Sequence, residues 1–271
     1  MISALILAAA IQPVALPPFT FVGRITDYAH IAYDAEASVE VRAKTSDGTL
    51  LAKTTTATGG NSSFNYRLDI PLASRELDGH LKTGESVVFE FVDPGGKIYS
   101  GLVSGADSTL GAPGDYRRVD VILATDANHD GVADEYVEAL AYLMWVNGIA
   151  EYDPKADSDG DGVSNFDEYI AGTNPFDPTD RFSVREMAID KGADGYVAFR
   201  FLVNQGRVYS VVTSERLEAP EVEWVEAPFS VSDPAEALQM RLSTGAAETG
   251  YRTVFLKKGE DPSRFWKMKV E

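Results

Sequence analysis

The chain has no cysteine, which excludes disulfide staples, thiolate nucleophiles and thiolate zinc sites. Histidine is nearly as scarce: His30, His80 and His129 are the three, far apart in the chain and without an evident Ser or Asp companion. No nucleophile elbow, phosphate-cradling glycine loop or HExxH helix is present, so an enzyme is not expected. Basic residues are few, with 24 Lys and Arg against 42 Asp and Glu and a formal charge of −18. Phosphate contacts need clustered Lys and Arg, and none exists, which excludes a nucleic-acid partner. Long apolar runs are missing too. The opening MISALILAAAIQPVALPP is interrupted at Pro13, short of the roughly 18 residues a membrane helix needs. Lacking Lys or Arg ahead of its apolar run, this segment (1–18) is either a leader peptide or a strand added to the edge of a neighbour's sheet.

The acidity is concentrated. Residues 126–180 carry 14 Asp and Glu against the single Lys155, so the charge is a local device and not a property of the whole surface. Within it, Asp157 to Glu168 reads DSDGDGVSNFDE. Asp157, Asp159 and Asp161 take loop positions 1, 3 and 5, Gly162 takes 6, Val163 takes 7, Asn165 takes 9 and Glu168 takes 12, the ligand order of an EF-hand loop. Three alternate carboxylates converge only if the chain curls tightly, which Gly162 permits. Val163 offers a backbone carbonyl, and Glu168, one turn into the next helix, can close the shell with a bidentate carboxylate. Hard oxygen donors in this number suit calcium. Without a cation these carboxylates repel one another and shift each other's titration.

A poorer copy, DANHDGVADEYVE, starts at Asp126. Asp126, Asn128, Asp130, Gly131, Val132 and Asp134 fill positions 1, 3, 5, 6, 7 and 9, but position 12 is Val137. Glu138 comes one residue late and lies four after Asp134, on the same helical face. The stretch is either a second calcium loop, with Asp126, Asn128, Asp130, Val132, Asp134 and Glu138 as ligands, or a turn in which Asp126 caps the following helix.

With 271 residues and 44% hydrophobic content, there is length for two ordinary domains. Across 19–124 the period is two: FTFVGRI, SVEVRAK, TLLAKTTTAT, SSFNYRLDIPL, ESVVFEFV, KIYSGLV and DYRRVDVIL alternate between turn signals. This predicts an antiparallel β-sandwich of immunoglobulin-like kind, with Val39, Val41, Phe64, Tyr66, Leu68, Val87, Phe89, Phe91, Val119 and Val121 inward. His30 and His80 are expected on the surface, and Asn61-Ser62-Ser63 matches a glycosylation acceptor. Residues 125–180 form a helix-loop-helix connector. Val132, Tyr136, Ala139, Leu140, Leu143 and Met144 recur at helical spacing, predicting about three turns ending near Asn147-Gly148. A short helix follows over 165–171, and Trp145, Tyr152, Phe166, Tyr169 and Ile170 are expected to form a small core. Alternation returns over 181–271 in FSVREMAI, GYVAFRFLV, RVYSVVTSERL, VEWVEA, ALQMRLST, YRTVFLK and FWKMKV, predicting a second sandwich. Trp224 and Trp266 either sit in its core or stack on sugar rings.

The run DANHDGVADEYVE followed by DSDGDGVSNFDEYIAGTNPFDPTD resembles the thrombospondin type 3-like calcium-binding segments of secreted bacterial proteins, departing from them at Val137. GRVYSVVTSERL with the terminal RFWKMKV resembles the β-module that often follows such segments. The resemblance implies extracellular calcium and a stiff spacer between β domains, and it implies no reaction. Millimolar calcium outside cells fills even weak sites. The expectation is therefore a mainly β, non-enzymatic, secreted structural or adhesion protein. Its partners would be calcium ions and other subunits, in a filament or surface layer, or cell-surface components. The alternative is a carbohydrate-binding accessory module of an exported degradative system.

Overall fold

The computed structural model describes residues 16–57, 64–72, 81–99, 107–189, 195–217, 222–232, 237–244, 248–257 and 265–270. Residues 1–15 of the opening segment, His80 and the Asn61-Ser62-Ser63 acceptor lie outside these. Among the described residues the chain is mainly β, with three short helices.

The first β region contains β1 (Phe19–Gly23), β2 (Ile25–Asp27), β3 (Glu40–Lys44), β4 (Leu50–Thr55), β5 (Tyr66–Ile70), β6 (Val88–Val92), β7 (Ile98–Tyr99), β8 (Tyr116–Arg118) and β9 (Val121–Leu123). Two of the predicted runs split, each at a position where a side chain takes over from the ladder. Arg24 donates its backbone N–H to Asp120 Oδ1 at 2.8 Å, and Asn65 exchanges two 2.8 Å hydrogen bonds with the backbone of Ile25. One sheet runs β5-β1-β8 and continues in the pair β2-β9, with β1 parallel to β8 and β2 parallel to β9. The other runs β4-β3-β6-β7, all antiparallel. Side chains alternate across each strand, as the buried Tyr66, Leu68 and Ile70 of β5 show. The inward faces of the two sheets share one core, in which Phe21 meets Phe89 edge-to-face at 5.0 Å.

Nine of the ten residues predicted to point inward are buried there; Phe64 is 40% exposed. The bend at Asn65, whose side chain is tied to Ile25 and Tyr33, separates Phe64 from β5 and breaks the parity that would have turned it inward. His30, expected on the surface, is 6% exposed, with its ring edge-on to Tyr169 at 4.8 Å. A residue far along the chain covers it, so its local polar context is no guide to its burial.

The middle segment holds α1 (Asp134–Ala139), α2 (Ala141–Val146) and α3 (Asn165–Ala171). The single helix predicted after the first loop is two. At Leu140 the backbone N–H is shared between the carbonyls of Tyr136 and Val137, both at 3.1 Å, a tightened turn of 3₁₀ character. Val132, Ala133, Met144, Tyr152 and Tyr169 make a separate small core, with Tyr136, Phe166 and Ile170 packed on it. Trp145 does not join them. It is 76% exposed beside Tyr142, which is 71% exposed, with their rings 6.1 Å apart.

The last region has β10 (Val184–Ile189), β11 (Tyr196–Val203), β12 (Val208–Ser214), β13 (Val225–Ala227), β14 (Arg241–Ser243), β15 (Gly250–Lys257) and β16 (Phe265–Val270). One antiparallel sheet runs β10-β11-β15; in the other, β12 pairs with β13, β14 and β16. Their core contains Phe201, Tyr209, Val211, Phe229, Val254 and Met268, and Trp266 packs against it. Trp224 is half-buried. Every residue of β10 is exposed. No helix among the described residues is long and apolar enough to cross a membrane.

Phe91 is fully buried, so Phe91→Ala should lower unfolding free energy by about 3–5 kcal/mol. Phe64→Ser should cost less than about 1 kcal/mol. Chemical denaturation of the two variants measures both.

Candidate metal centre

The loop at 157–168 is built by its own hydrogen bonds. Asp157 Oδ1 accepts from the backbone N–H of Gly160 (2.8 Å) and of Asp161 (3.2 Å), and Oδ2 accepts from that of Gly162 (2.9 Å). Asp159 Oδ1 accepts from Asp161 N at 3.1 Å, and Asp161 Oδ1 from Val163 N at 2.8 Å. Gly162 has φ +93°, the conformation its loop position required. Ser164 then caps α3 by accepting from Asp167 N at 3.2 Å, and α3 carries Glu168 back over the loop. Carboxylate oxygens of Asp157, Asp159 and Asp161 lie within 4.8 Å of one another.

Each acid at position 3, 5 or 12 keeps one oxygen back. Asp159 Oδ2, Asp161 Oδ2 and Glu168 Oε2 are buried with no hydrogen-bond partner. Glu168 is fully buried, and its other oxygen accepts from Thr173 Oγ1 at 3.2 Å. Burial pushes its carboxyl from the ordinary 4.5 up to about 7; the Thr173 hydrogen bond opposes this, and the charges of Asp159, Asp161 and Asp180 add to it. Burial, followed by the neighbouring charges of Asp161 and Asp157, also raises Asp159. Asp157 is lowered, chiefly by the Gly162 N–H. Buried acceptors left unsatisfied cost free energy that a cation recovers, and the all-oxygen donor set suits a hard ion.

Asn165 does something other than sit open to the loop centre. Its Oδ1 accepts from Ser158 N (3.2 Å), and its Nδ2 donates to Asp153 O (2.7 Å) and Ser158 Oγ (2.9 Å), stapling the loop's entry to its exit. Asp180 was not anticipated. It accepts from Asn174 N at 3.1 Å and places its charge where Glu168 feels it. The sequence signal was the second Asp in DPTD after the Gly172-Thr173-Asn174-Pro175 turn.

The stretch at 126–138 shares the pattern but closes on itself. Asp126 accepts from Asp130 N (3.1 Å) and Gly131 N (3.0 Å), and Asp130 Oδ1 accepts from Val132 N at 2.8 Å. Where the later loop has Asp159, this one has Asn128, whose Nδ2 donates to Asp130 Oδ2 at 2.9 Å. The amide thus partners the oxygen that stays orphaned in Asp161. Asp134 accepts from Ala127 N at 3.1 Å, and Glu138 is exposed on α1. Among the described residues, Asp126, Asp130 and Asp134 do not bring their oxygens together as the later trio does. Asp126 does not cap α1 either: the cap position is Ala133, with no side-chain hydrogen bond.

The decisive observation is the family match to this second loop. Residues 157–178 match the bacterial TSP3 repeat. The match starts at the first acid of the loop, spans α3 and ends beyond the Asn174-Pro175 turn, leaving the 126–138 stretch outside it. The TSP3 repeat is a calcium-binding family, which agrees with the acidic cluster. No curated protein and no solved structure matches the chain significantly.

Because Glu168 binds its proton more tightly in the folded, metal-free chain than when unfolded, its contribution to stability is full below about pH 4.5 and is lost as pH rises through about 7. In chelator, the melting temperature should therefore fall between about pH 5 and pH 7.5. Glu168→Gln should flatten that slope. Thermal melts across pH settle it, and an equal slope in the variant would refute the assignment.

Proposed function

We propose that the chain is a non-enzymatic, extracellular structural or adhesion protein. Its TSP3 repeat holds one calcium ion, which stiffens the connector between two β-sandwich domains, the first of them immunoglobulin-like. The observation that carries this is the trio of buried, unpartnered oxygens on Asp159, Asp161 and Glu168. Asp157, Asp159, Asp161 and Glu168 are the side-chain ligands, Val163 supplies a backbone carbonyl, and Asn165 holds the loop shut from behind. Calcium binds the folded loop and not the unfolded chain, so it adds stability by mass action. The parallel pairing of β1 with β8 and the facing sheets support the immunoglobulin-like description of the first domain. The open, fully exposed edge of β10 supports assembly into a fibre or layer.

The exposed pair Tyr142 and Trp145 favours a second function, carbohydrate binding by stacking of sugar rings. The two are separated by glycan-array binding of the wild type and of Trp145→Ala. Sugar affinity lost in the variant supports the accessory module; no sugar affinity in either supports the scaffold.

Calorimetry of the metal-free chain should give one calcium per chain. Asp161→Ala and Glu168→Gln should each weaken it more than about 100-fold, beyond the 10–100-fold typical of outer-shell changes. Asp130→Ala should leave it nearly unchanged. Unaltered affinity in the first two variants would place the ion elsewhere.

A further inference from the structure

Beside the metal loop, three parts of the chain meet at the far end of α3. The turn that links β11 to β12 across the two sheets, Asn204-Gln205-Gly206-Arg207, meets that end and the 27–31 loop of the first β region. Arg207 is 4% exposed. Its guanidinium donates through Nη1 to Ala29 O at 2.7 Å and through Nη2 to Tyr169 O at 3.0 Å. Asn204 Nδ2 donates to the carbonyls of Ala171 (3.2 Å) and Gly172 (3.0 Å). The last carbonyls of a helix have no partner within it and carry its negative end; here they are capped by a cation and an amide from another region.

The fit leaves no slack. A Cβ on Gly172, which also has φ +73°, would stand 2.9 Å from Arg207 Nη2, and one on Gly206 would stand 2.5 Å from His30 O. Thr244 fixes this turn from behind, with its Oγ1 donating to Asn204 O and accepting from Arg207 N, at 2.7 and 2.8 Å. Tyr169, the residue after Glu168, is the hub: its carbonyl takes Arg207, and its ring meets His30 of the first region and Tyr136 of the connector, at 4.8 and 4.6 Å.

We propose that Arg207 is the positioning residue through which the ion of the TSP3 repeat sets the arrangement of the two β regions, and that this docking in turn tightens the ion. The inference rests on the calcium site proposed above. Seven-residue α3 is too short to stand alone, and its fully buried Glu168 has an oxygen, Oε2, with no hydrogen-bond partner until a cation meets it. An ion at that oxygen would complete α3, which presents the Tyr169 carbonyl to Arg207 and those of Ala171 and Gly172 to Asn204. Without the Tyr169 carbonyl, Nη2 joins Nε as a buried donor with no partner, which is costly. Linkage makes the effect reciprocal: whatever the ion does for docking, docking does for the ion.

Because the chain has no cysteine, Ser46→Cys with Lys267→Cys gives two unique spin-label sites, one on each β region. In the wild type, pulsed electron resonance should show a distance distribution that calcium narrows and chelation broadens. Arg207→Lys keeps the charge and loses the fork. It should bind one calcium about tenfold more weakly, within the usual range of site coupling, and its distribution should stay broad at saturating calcium. Asn204→Ala, at a less buried position, should move both readouts the same way, with affinity down about threefold. Narrowing as in the wild type, or unchanged calcium affinity, in both variants overturns the role of Arg207 while leaving the calcium site standing. A wild type that binds no calcium overturns the site itself.

Discussion

A carboxylate can be buried beside other carboxylates only if something positive joins them. Glu168 is the residue on which this constraint falls: it has no exposure to water, one oxygen without a partner, and Asp159, Asp161 and Asp180 as electrostatic neighbours. Much of the middle segment exists to hold it there. Ser164 starts its helix, Asn165 staples the loop beneath it and Thr173 holds its second oxygen. The 126–138 stretch shows the other resolution of the same problem. A single amide, Asn128, supplies from within the chain a donor to the oxygen whose counterpart in the later loop, Asp161 Oδ2, has no partner.

The joint at the C-terminal end of α3 mirrors this with the sign reversed. Arg207 is a buried cation, and it is met by carbonyl dipoles of Tyr169 and Ala29. Anion and cation thus meet one short helix at adjacent residues, Glu168 and Tyr169, so that helix is where charge burial and the joining of regions become one problem. His30 fits the same logic. Burial and the nearby Arg207 and Arg24 charges hold its imidazole well below the ordinary range, so it packs against Tyr169 as a neutral ring.

What could be read from the sequence follows from range. Strand positions were legible because alternation is local, and the metal loop because its spacing is stereochemically demanding. The same local information misplaced Phe64, where a bend at Asn65 resets the parity, and Trp145, which lies off the face of α2 that buries Met144. His30 and Arg207 were not legible at all. Their surroundings are assembled from segments far apart in the chain, with Arg207 bonded to residues 38 and 178 positions away. Asp180 lay between: its DPTD context was visible, but its closeness to Glu168 depends on the turn at Asn174-Pro175.

The parallel pairing of β1 with β8 and of β2 with β9 has a mechanical consequence. The first and last strands of this region lie side by side and run the same way, so tension entering at one and leaving at the other slides them past each other. All the inter-strand bonds are then loaded together in shear, not peeled one at a time as at the open end of a hairpin. A region wired in this way resists pulling along the direction of its first and last strands.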